Sequence, residues 1–386
     1  MNANLGFLNA PQSTLPLLCA PRVQFGYGAV THLGSQLQAL GVQRPLFVTD
    51  PGVVKHGVFG KVTATLNAGD AAQTFERTPE NPTVAGVEQA LAQYRAARCD
   101  GIVAVGGGSV IDTAKALAVI ATHPGALTDY LGKGDRVGPS AAPLVAVPTT
   151  AGTGSESSRG CGIHRDDRTA AQGISSAHIV PKVAICDPEL TLTLPPHLTA
   201  GTGMDALSHC IEGYLSPAAN PLIDAVALDG VSSVFQWVER AVRDGADREA
   251  RWHLMMAALE GGLAIGKGLG PAHAIANAFG DQGLHHGMMV TIALPPVLEL
   301  YERHVPGILE PLACAMGVKP GETAAAVERL NDALGVPRSL AALGYKPGSA
   351  ATLVEQTLNS HFNATAPYRP SQAETEHLVE RMLMRD

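Results

Sequence analysis

The sequence predicts an α/β amino-terminal domain built on a parallel, Rossmann-like sheet, followed by an all-helical carboxy-terminal domain. Three observations carry this expectation. Between about residues 15 and 190, short runs rich in Val, Leu and Ile alternate with helical patterns; one of those runs ends in three glycines and opens directly into a helix; and after residue 192 the pattern becomes a succession of helices with no convincing strand. The boundary is placed at 192/193, giving domains 1–192 and 193–386.

The elements follow in order. PLFVTD (45–50) is a strand, residues 82–97 are helical, GIVAVGGGS (101–109) is a strand with a glycine-rich end, and PLVAVPTT (143–150) is a further strand. Their apolar residues run continuously rather than alternating, as in strands covered on both faces of a parallel sheet. DPELTLTLPPHLTAGTG (187–203) is expected to be a Pro-punctuated connector, with a Gly-flanked turn giving way to helix within GTGMDALSHCIEGY (201–214). Ligands of such two-domain chains bind in the cleft between the parts, near the carboxyl ends of the strands.

Composition excludes several classes. With 16% charged residues, 4% aromatics and 42 glycines in 386 residues, the chain reads as a compact enzyme rather than a disordered or fibrous protein. A net charge of -8 without a basic run argues against nucleic acid as a partner. The six cysteines form no C-x2-C pair, so neither a zinc ribbon nor a disulfide framework is indicated, and a reduced, cytoplasmic setting fits. No apolar run reaches the roughly 18 to 20 residues that cross a bilayer, and the start lacks the pattern of a secretory signal, so no membrane partner is expected.

Five segments carry candidate chemistry. Gly106, Gly107 and Gly108, with Ser109 opening the next helix, let backbone N–H groups approach a phosphate, with a tight βα connection as the alternative. In VPTTAGTGSESS (147–158), Thr149, Thr150, Thr153 and Ser155 offer hydroxyls to ribose, phosphate or amide groups, or make an ordinary Ser/Thr-rich turn. Asp50 ends its strand either as an acceptor for ribose hydroxyls or as a helix N-cap. Asp205 and His209, four residues apart on one helix face, can close on one ion or on each other, and His273, His285 and His286 fall within one glycine-bracketed window. An Asp with three His is an O/N donor set that suits iron(II), zinc or manganese and leaves a position for a substrate oxygen.

Six ordered motifs, GGGSVIDTAK (106–115), PTTAGTGSE (148–156), DPELT (187–191), GMDALSHCIEGY (203–214), GLGPAHA (268–274) and HHGMM (285–289), together resemble the iron-containing (group III) alcohol dehydrogenase family over nearly the whole chain. The resemblance implies that Asp205, His209, His273 and His286 are metal ligands, Fe2+ first with Zn2+ or Mn2+ as alternatives. It implies that Gly106 to Ser109 hold the cofactor diphosphate, that Thr149 and Thr153 contact adenine or ribose, and that Leu190 packs beside the adenine. Asp50 then favours NAD over NADP, and Asp112 lies near the nicotinamide. The implied reaction is reversible hydride transfer between a small primary alcohol or its aldehyde and the nicotinamide, in a homodimer or larger homo-oligomer, with a dehydroquinate synthase-like architecture.

Departures from the family pattern are equally specific. Asn277 stands where relatives commonly place a second histidine near the nicotinamide, and an amide cannot shuttle a proton. The interval between His273 and His286 is one residue shorter than usual, leaving His285 as the alternative fourth ligand. Gly160 and Ala264 replace larger side chains, and Lys267 precedes the ligand-bearing segment. From these we expect a roomier site for an aldehyde bearing an acidic group, with Lys267 as an anion contact or else a solvated helix lysine. The competing readings are a maleylacetate-reductase-like enzyme, an NAD- and metal-dependent lyase of the dehydroquinate synthase type, and a non-enzymatic metal-binding or scaffold protein.

Overall fold

The structure, a computed structural model, describes residues 19–66, 73–166, 169–346 and 348–384. The stretch of the expected first domain that precedes residue 19 lies outside these. The strands are β1 (Arg22–Phe25), β2 (Pro45–Val48), β3 (Thr74–Phe75), β4 (Gly101–Gly106), β5 (Leu144–Pro148), β6 (Gly160–Ile163), β7 (Gln172–Ser175) and β8 (Val183–Cys186). The helices of the first half are α1 (Leu33–Ala39), α2 (Pro51–Lys55), α3 (Val58–Thr63), α4 (Val84–Ala96) and α5 (Gly108–Ile120). Six strands form one sheet in the order β1-β8-β5-β4-β2-β3, and every pairing in it is parallel.

The continuous apolar runs are explained by the two faces. Leu46, Val48, Ile102, Ala104, Leu144 and Ala146 join the core on one side, with α4 and α5 residues such as Val87 and Leu117. Their sequence neighbours Phe47, Val103, Val105, Val145 and Val147 join the core on the other, with Leu33, Leu37 and Val58. Alternate residues on a pleated strand point to opposite faces, so a strand covered on both must be apolar throughout. From β2 the chain runs outward to β3, whereas from β4 it runs inward to β5. The connections therefore diverge between β2 and β4, whose carboxyl ends carry Asp50 and Gly106–Gly108, the place where sheets of this kind take their ligands.

The second half is helical: α6 (Pro196–Leu215), α7 (Pro221–Arg243), α8 (Arg248–Ala264), α9 (Pro271–Ala278), α10 (His286–His304), α11 (Glu310–Met316), α12 (Thr323–Ala333), α13 (Ala350–Leu358) and α14 (Gln372–Met384). Here α6 packs against α7, α8 and α10. Among the described residues no helix is long and apolar enough to cross a membrane.

Two expectations are corrected. The supposed connector ends earlier than expected: α6 already begins at Pro196, and Gly201 and Gly203 are helical. Both serve close packing, since a Cβ on Gly203 would stand 2.8 Å from Val238 Cγ2 and one on Gly201 3.1 Å from His285 Cε1. The antiparallel hairpin β6–β7, pairing Gly160 with Ser175, was not anticipated.

Where α7 crosses α8, Glu260 is hydrogen-bonded to Asp229 and lies beside Cys210; burial and then Asp229 push its carboxyl from 4.5 up to about 9. A raised folded-state value means that the protonated form favours folding. This contribution is complete below about 4.5 and is lost as pH rises through about 9. Glu260→Gln is therefore expected to flatten the decline in urea midpoint between roughly pH 5 and pH 9. Parallel pH profiles for variant and parent would contradict it.

Candidate metal centre and dinucleotide cleft

One turn of α6 presents Asp205 and His209 towards α9 and α10. Asp205 Oδ1 lies 3.8 Å from His209 Nε2 and 4.0 Å from His273 Nε2. The His209 and His273 rings stack with centroids 4.8 Å apart, and the His286 ring stands 5.6 Å from that of His273. Asp205, His273 and His286 each bring one donor atom within 4.8 Å of the others. His209 adjoins this trio through Asp205 and His273.

Small residues make the convergence possible. A Cβ on Gly287 would stand 3.1 Å from Asp205 Cβ, so the glycine after His286 lets α10 come down onto α6. His285 does not join the trio: it is the N-cap of α10, and its Nδ1 accepts from the Met288 N–H at 3.4 Å.

The donor atoms fit a divalent cation. Asp205 Oδ1 and His273 Nε2, 4.0 Å apart, are buried without a hydrogen-bond partner among the described residues. Buried polar atoms are normally paired, and a carboxylate 2% exposed is costly without a counter-charge. Burial, and then the adjacent His273, hold His209 down at about 3, so its imidazole is neutral and has a lone pair to offer.

One carboxylate was missed by sequence reasoning. Glu212 Oε2 accepts from His273 Nδ1 at 2.6 Å, and Oε1 accepts from the Ala272 N–H at 2.8 Å. The available signal was its place two turns beyond Asp205 on the same helix, but acidic residues at such spacings are common on helices that bind nothing.

At the carboxyl end of β4, Gly107 caps α5 without a side chain. Thr150 and Thr153 lie against the turn: a Cβ on Gly107 would stand 3.3 Å from Thr150, and one on Gly108 2.7 Å from Thr153 Cγ2. The GGGS and PTTAGTG segments thus form one surface, with Thr149 N–H donating to the Gly106 carbonyl at 3.0 Å. The Ser109 hydroxyl donates to the Glu80 carbonyl, leaving backbone as the group a phosphate would meet there. Asp50 caps α2, its Oδ1 accepting from Val53 N–H at 2.9 Å, so the N-cap alternative is realised with one of its two oxygens. Leu190 is buried in the apolar layer containing Val147 and Ile185.

Asp112 lies in a buried polar knot. Its Oδ2 accepts from Gly162 N–H at 2.8 Å, and burial raises its carboxyl, against the pull of Lys115, Gly162 and the Ser155 side chain. Lys115 Nζ donates to the Ser158 and Gly160 carbonyls at 2.8 and 2.7 Å, and burial lifts the nearby Glu156 to about 7. These contacts bind α5 to β6. Asn277 lies one turn beyond His273 on α9, half-buried.

Of the three residues expected to shape the substrate pocket, Gly160 has open space, with the nearest atom to a Cβ there at 4.0 Å. Ala264 is fully buried, packed 2.7 Å from where a Cβ on Gly213 would lie, so it belongs to a helix contact. The expectation for Lys267 is corrected: its side chain is 4% exposed, ion-paired with Asp224, and donates to the Tyr214 carbonyl at 3.1 Å. It is neither solvated nor free to hold a substrate anion, because a lysine that deep needs its partner to offset lost hydration.

Comparison with known proteins places the chain in a family. Residues 20–188 match the family model described as iron-containing alcohol dehydrogenase, and residues 199–383 match that of the Fe-containing alcohol dehydrogenase family, C-terminal. The chain is 43% identical over 376 residues to 4-hydroxybutyrate dehydrogenase of Cupriavidus necator, covering 94% of this chain and 98% of that one. It is 35% identical to 1,3-propanediol dehydrogenase of Klebsiella pneumoniae, covering 91% and 94%. Among solved structures it is similar to 1,3-propanediol oxidoreductase, with a TM-score of 0.88, 32% identity and coverage of 94% and 98%. It is also similar to sulfoacetaldehyde reductase from Bifidobacterium kashiwanohense in complex with NAD+, with a TM-score of 0.87, 28% identity and coverage of 95% and 98%. These relatives favour neither the maleylacetate reductase nor the lyase alternative. With both halves matched in order and a relative of this identity spanning almost the whole length, the chain belongs to the iron-containing alcohol dehydrogenase family.

Proposed function

We propose that this protein catalyses reversible, NAD(H)-linked hydride transfer between a small primary alcohol and its aldehyde, in a substrate whose far end carries an acidic group. The observation that carries the reading is the meeting of Asp205, His273 and His286, in which Asp205 Oδ1 and His273 Nε2 find no hydrogen-bond partner among the described residues. Together with His209 these residues would hold a divalent ion, Fe2+ in the first instance and Zn2+ or Mn2+ as alternatives. Such an ion supplies a Lewis acid for the alcohol or aldehyde oxygen, and the nicotinamide supplies the hydride chemistry.

The chain's own residues supply the rest. The Gly106–Ser109 backbone binds the diphosphate, Thr149, Thr150 and Thr153 line the same surface, and Leu190 supports the adenine side. The second carboxylate oxygen of Asp50 accepts from ribose hydroxyls and disfavours a 2′-phosphate. Asp112 borders the nicotinamide. Asn277 orients without taking a proton, so the alcohol proton leaves through water. The reading takes the chain as two domains dividing at 192/193 and the working enzyme as a homo-oligomer. The acidic end of the substrate is suggested by the similarity to a 4-hydroxybutyrate dehydrogenase and to a sulfoacetaldehyde reductase, and by the space beside Gly160.

The test is NADH oxidation by metal-stripped protein reloaded with Fe2+, Zn2+ or Mn2+, comparing 4-oxobutanoate with butanal. Turnover restored by metal is expected, with kcat/KM favouring the acid by about tenfold or more, or at least about 1.4 kcal/mol. Lys267→Met should leave that ratio unchanged. Intact NAD binding without turnover under any metal would sink the redox reading; equal kcat/KM values would sink only the acidic substrate.

A further inference from the structure

We propose that Glu212 is the positioning residue of the metal centre, setting the tautomer and direction of His273 and tying α9 to α6. This rests on the metal reading above, and the experiment is chosen to separate the two.

The argument begins with the start of α9. A helix leaves its first N–H groups without intrahelical acceptors, and these are ordinarily taken by an N-cap side chain. The N-cap here is Gly270, which has no side chain, and the first helical residue is Pro271, which has no N–H. The next two N–H groups, those of Ala272 and His273, both point at Glu212: Oε1 accepts from Ala272 at 2.8 Å and Oε2 from His273 at 3.4 Å. Glu212 thus caps α9 from α6, a different helix. Gly270 makes room for it, since a Cβ there would stand 2.7 Å from Oε1 and 3.1 Å from the Tyr301 hydroxyl.

The same oxygen holds the imidazole. Oε2 lies 2.6 Å from His273 Nδ1. A carboxylate accepts and does not donate, so the ring proton of neutral His273 sits on Nδ1 and its Nε2 is bare. Nε2 is buried, has no hydrogen-bond partner among the described residues, and lies 4.0 Å from Asp205 Oδ1. Ligating histidines are oriented in this way by a partner on the other ring nitrogen. Here a single helix, α6, supplies Asp205 and His209 towards the centre and, two turns on, the group that turns a third ligand to meet them.

The experiment uses full-length Glu212→Gln, whose amide keeps the shape and one acceptor but cannot accept from both Ala272 N–H and His273 Nδ1–H. Fe2+ and Zn2+ affinities are measured by chelator competition, NAD affinity by titration, and histidine tautomers by long-range 1H–15N spectra of the metal-free protein. The expected result is a loss of metal affinity of about 10- to 100-fold, NAD affinity within about twofold of the parent, and the Nδ1–H form of His273 in the parent giving way to a mixed or Nε2–H form in the variant. Unchanged metal affinity with an unchanged tautomer would overturn the proposal. So would equal losses of metal and NAD affinity, which would indicate a folding role alone. If the variant fails to fold, the parent spectrum decides, and an Nε2–H His273 there overturns it. A parent that binds no metal overturns the reading of the centre itself.

Discussion

Asp205→Asn is expected to lower kcat/KM by about 1,000-fold or more, the several kcal/mol of a Lewis acid converted at 1.36 kcal/mol per tenfold. In metal-free protein the same substitution is expected to be neutral or stabilising. The reason is the environment of the carboxylate: Asp205 is 2% exposed, and Oδ1 has no hydrogen-bond donor among the described residues. A buried charge without its counter-charge costs stability, and a neutral amide of the same shape removes that cost. Urea denaturation with and without metal separates the two effects. The parent should gain stability on metal addition by mass action, whereas the variant should gain little. A metal-free variant clearly weaker than the metal-free parent would show that the protein alone already satisfies the carboxylate.

Gly154→Ala is expected to destabilise the protein by roughly 2 to 5 kcal/mol, combining overpacking with a left-handed backbone that disfavours a Cβ. Gly154 has φ of +62°, and a Cβ there would drive into Gly262 of α8 and stand 2.8 Å from the Ala258 carbonyl. Two backbones are in contact at this point. Close by, Ser157 Oγ donates to the Leu259 carbonyl at 2.8 Å, so the loop after β5 is fastened to α8 as well as to the sheet. Gly160→Ala is the matched control: with its nearest atom 4.0 Å from a Cβ, it should change stability by less than about 0.5 kcal/mol. The measurement is the denaturation midpoint of each variant. Similar midpoints for both would mean that the Gly154–Gly262 contact opens at little cost.

The legible parts of this protein are those whose determinants are local. β2, β4 and β5 announce themselves because burial on both faces leaves no room for polar residues. Asp205 and His209 are visible because the helical period alone brings them together. The start of α6 was misread because Pro195, Pro196, Gly201 and Gly203 resemble turn residues, while the prolines stand at the N-cap and first position of the helix and the glycines admit the close approach of His285 and Val238. β6 and β7, GCGI and QGIS, have too little apolar alternation to read as strands. Lys267 and Glu212 failed for a shared reason: the meaning of each lies in a partner on another helix, Asp224 and His273, and one sequence carries no record of such distant pairings.

The pairing of β1 with β8 bears on how the chain is made. Arg22 is in register with Val183 and Phe25 with Cys186, yet β2 to β5 lie between them in sequence. During synthesis, β1 therefore emerges long before β8, its one sheet neighbour among the described residues, which follows only when nearly the whole first half is out of the ribosome. Contacts of such sequence separation form late because loop-closure entropy must be overcome first. The interior pairs β4–β5 and β2–β4 are separated by less chain and assemble ahead of it, and closure of β1 onto β8, the strand before α6, completes the sheet.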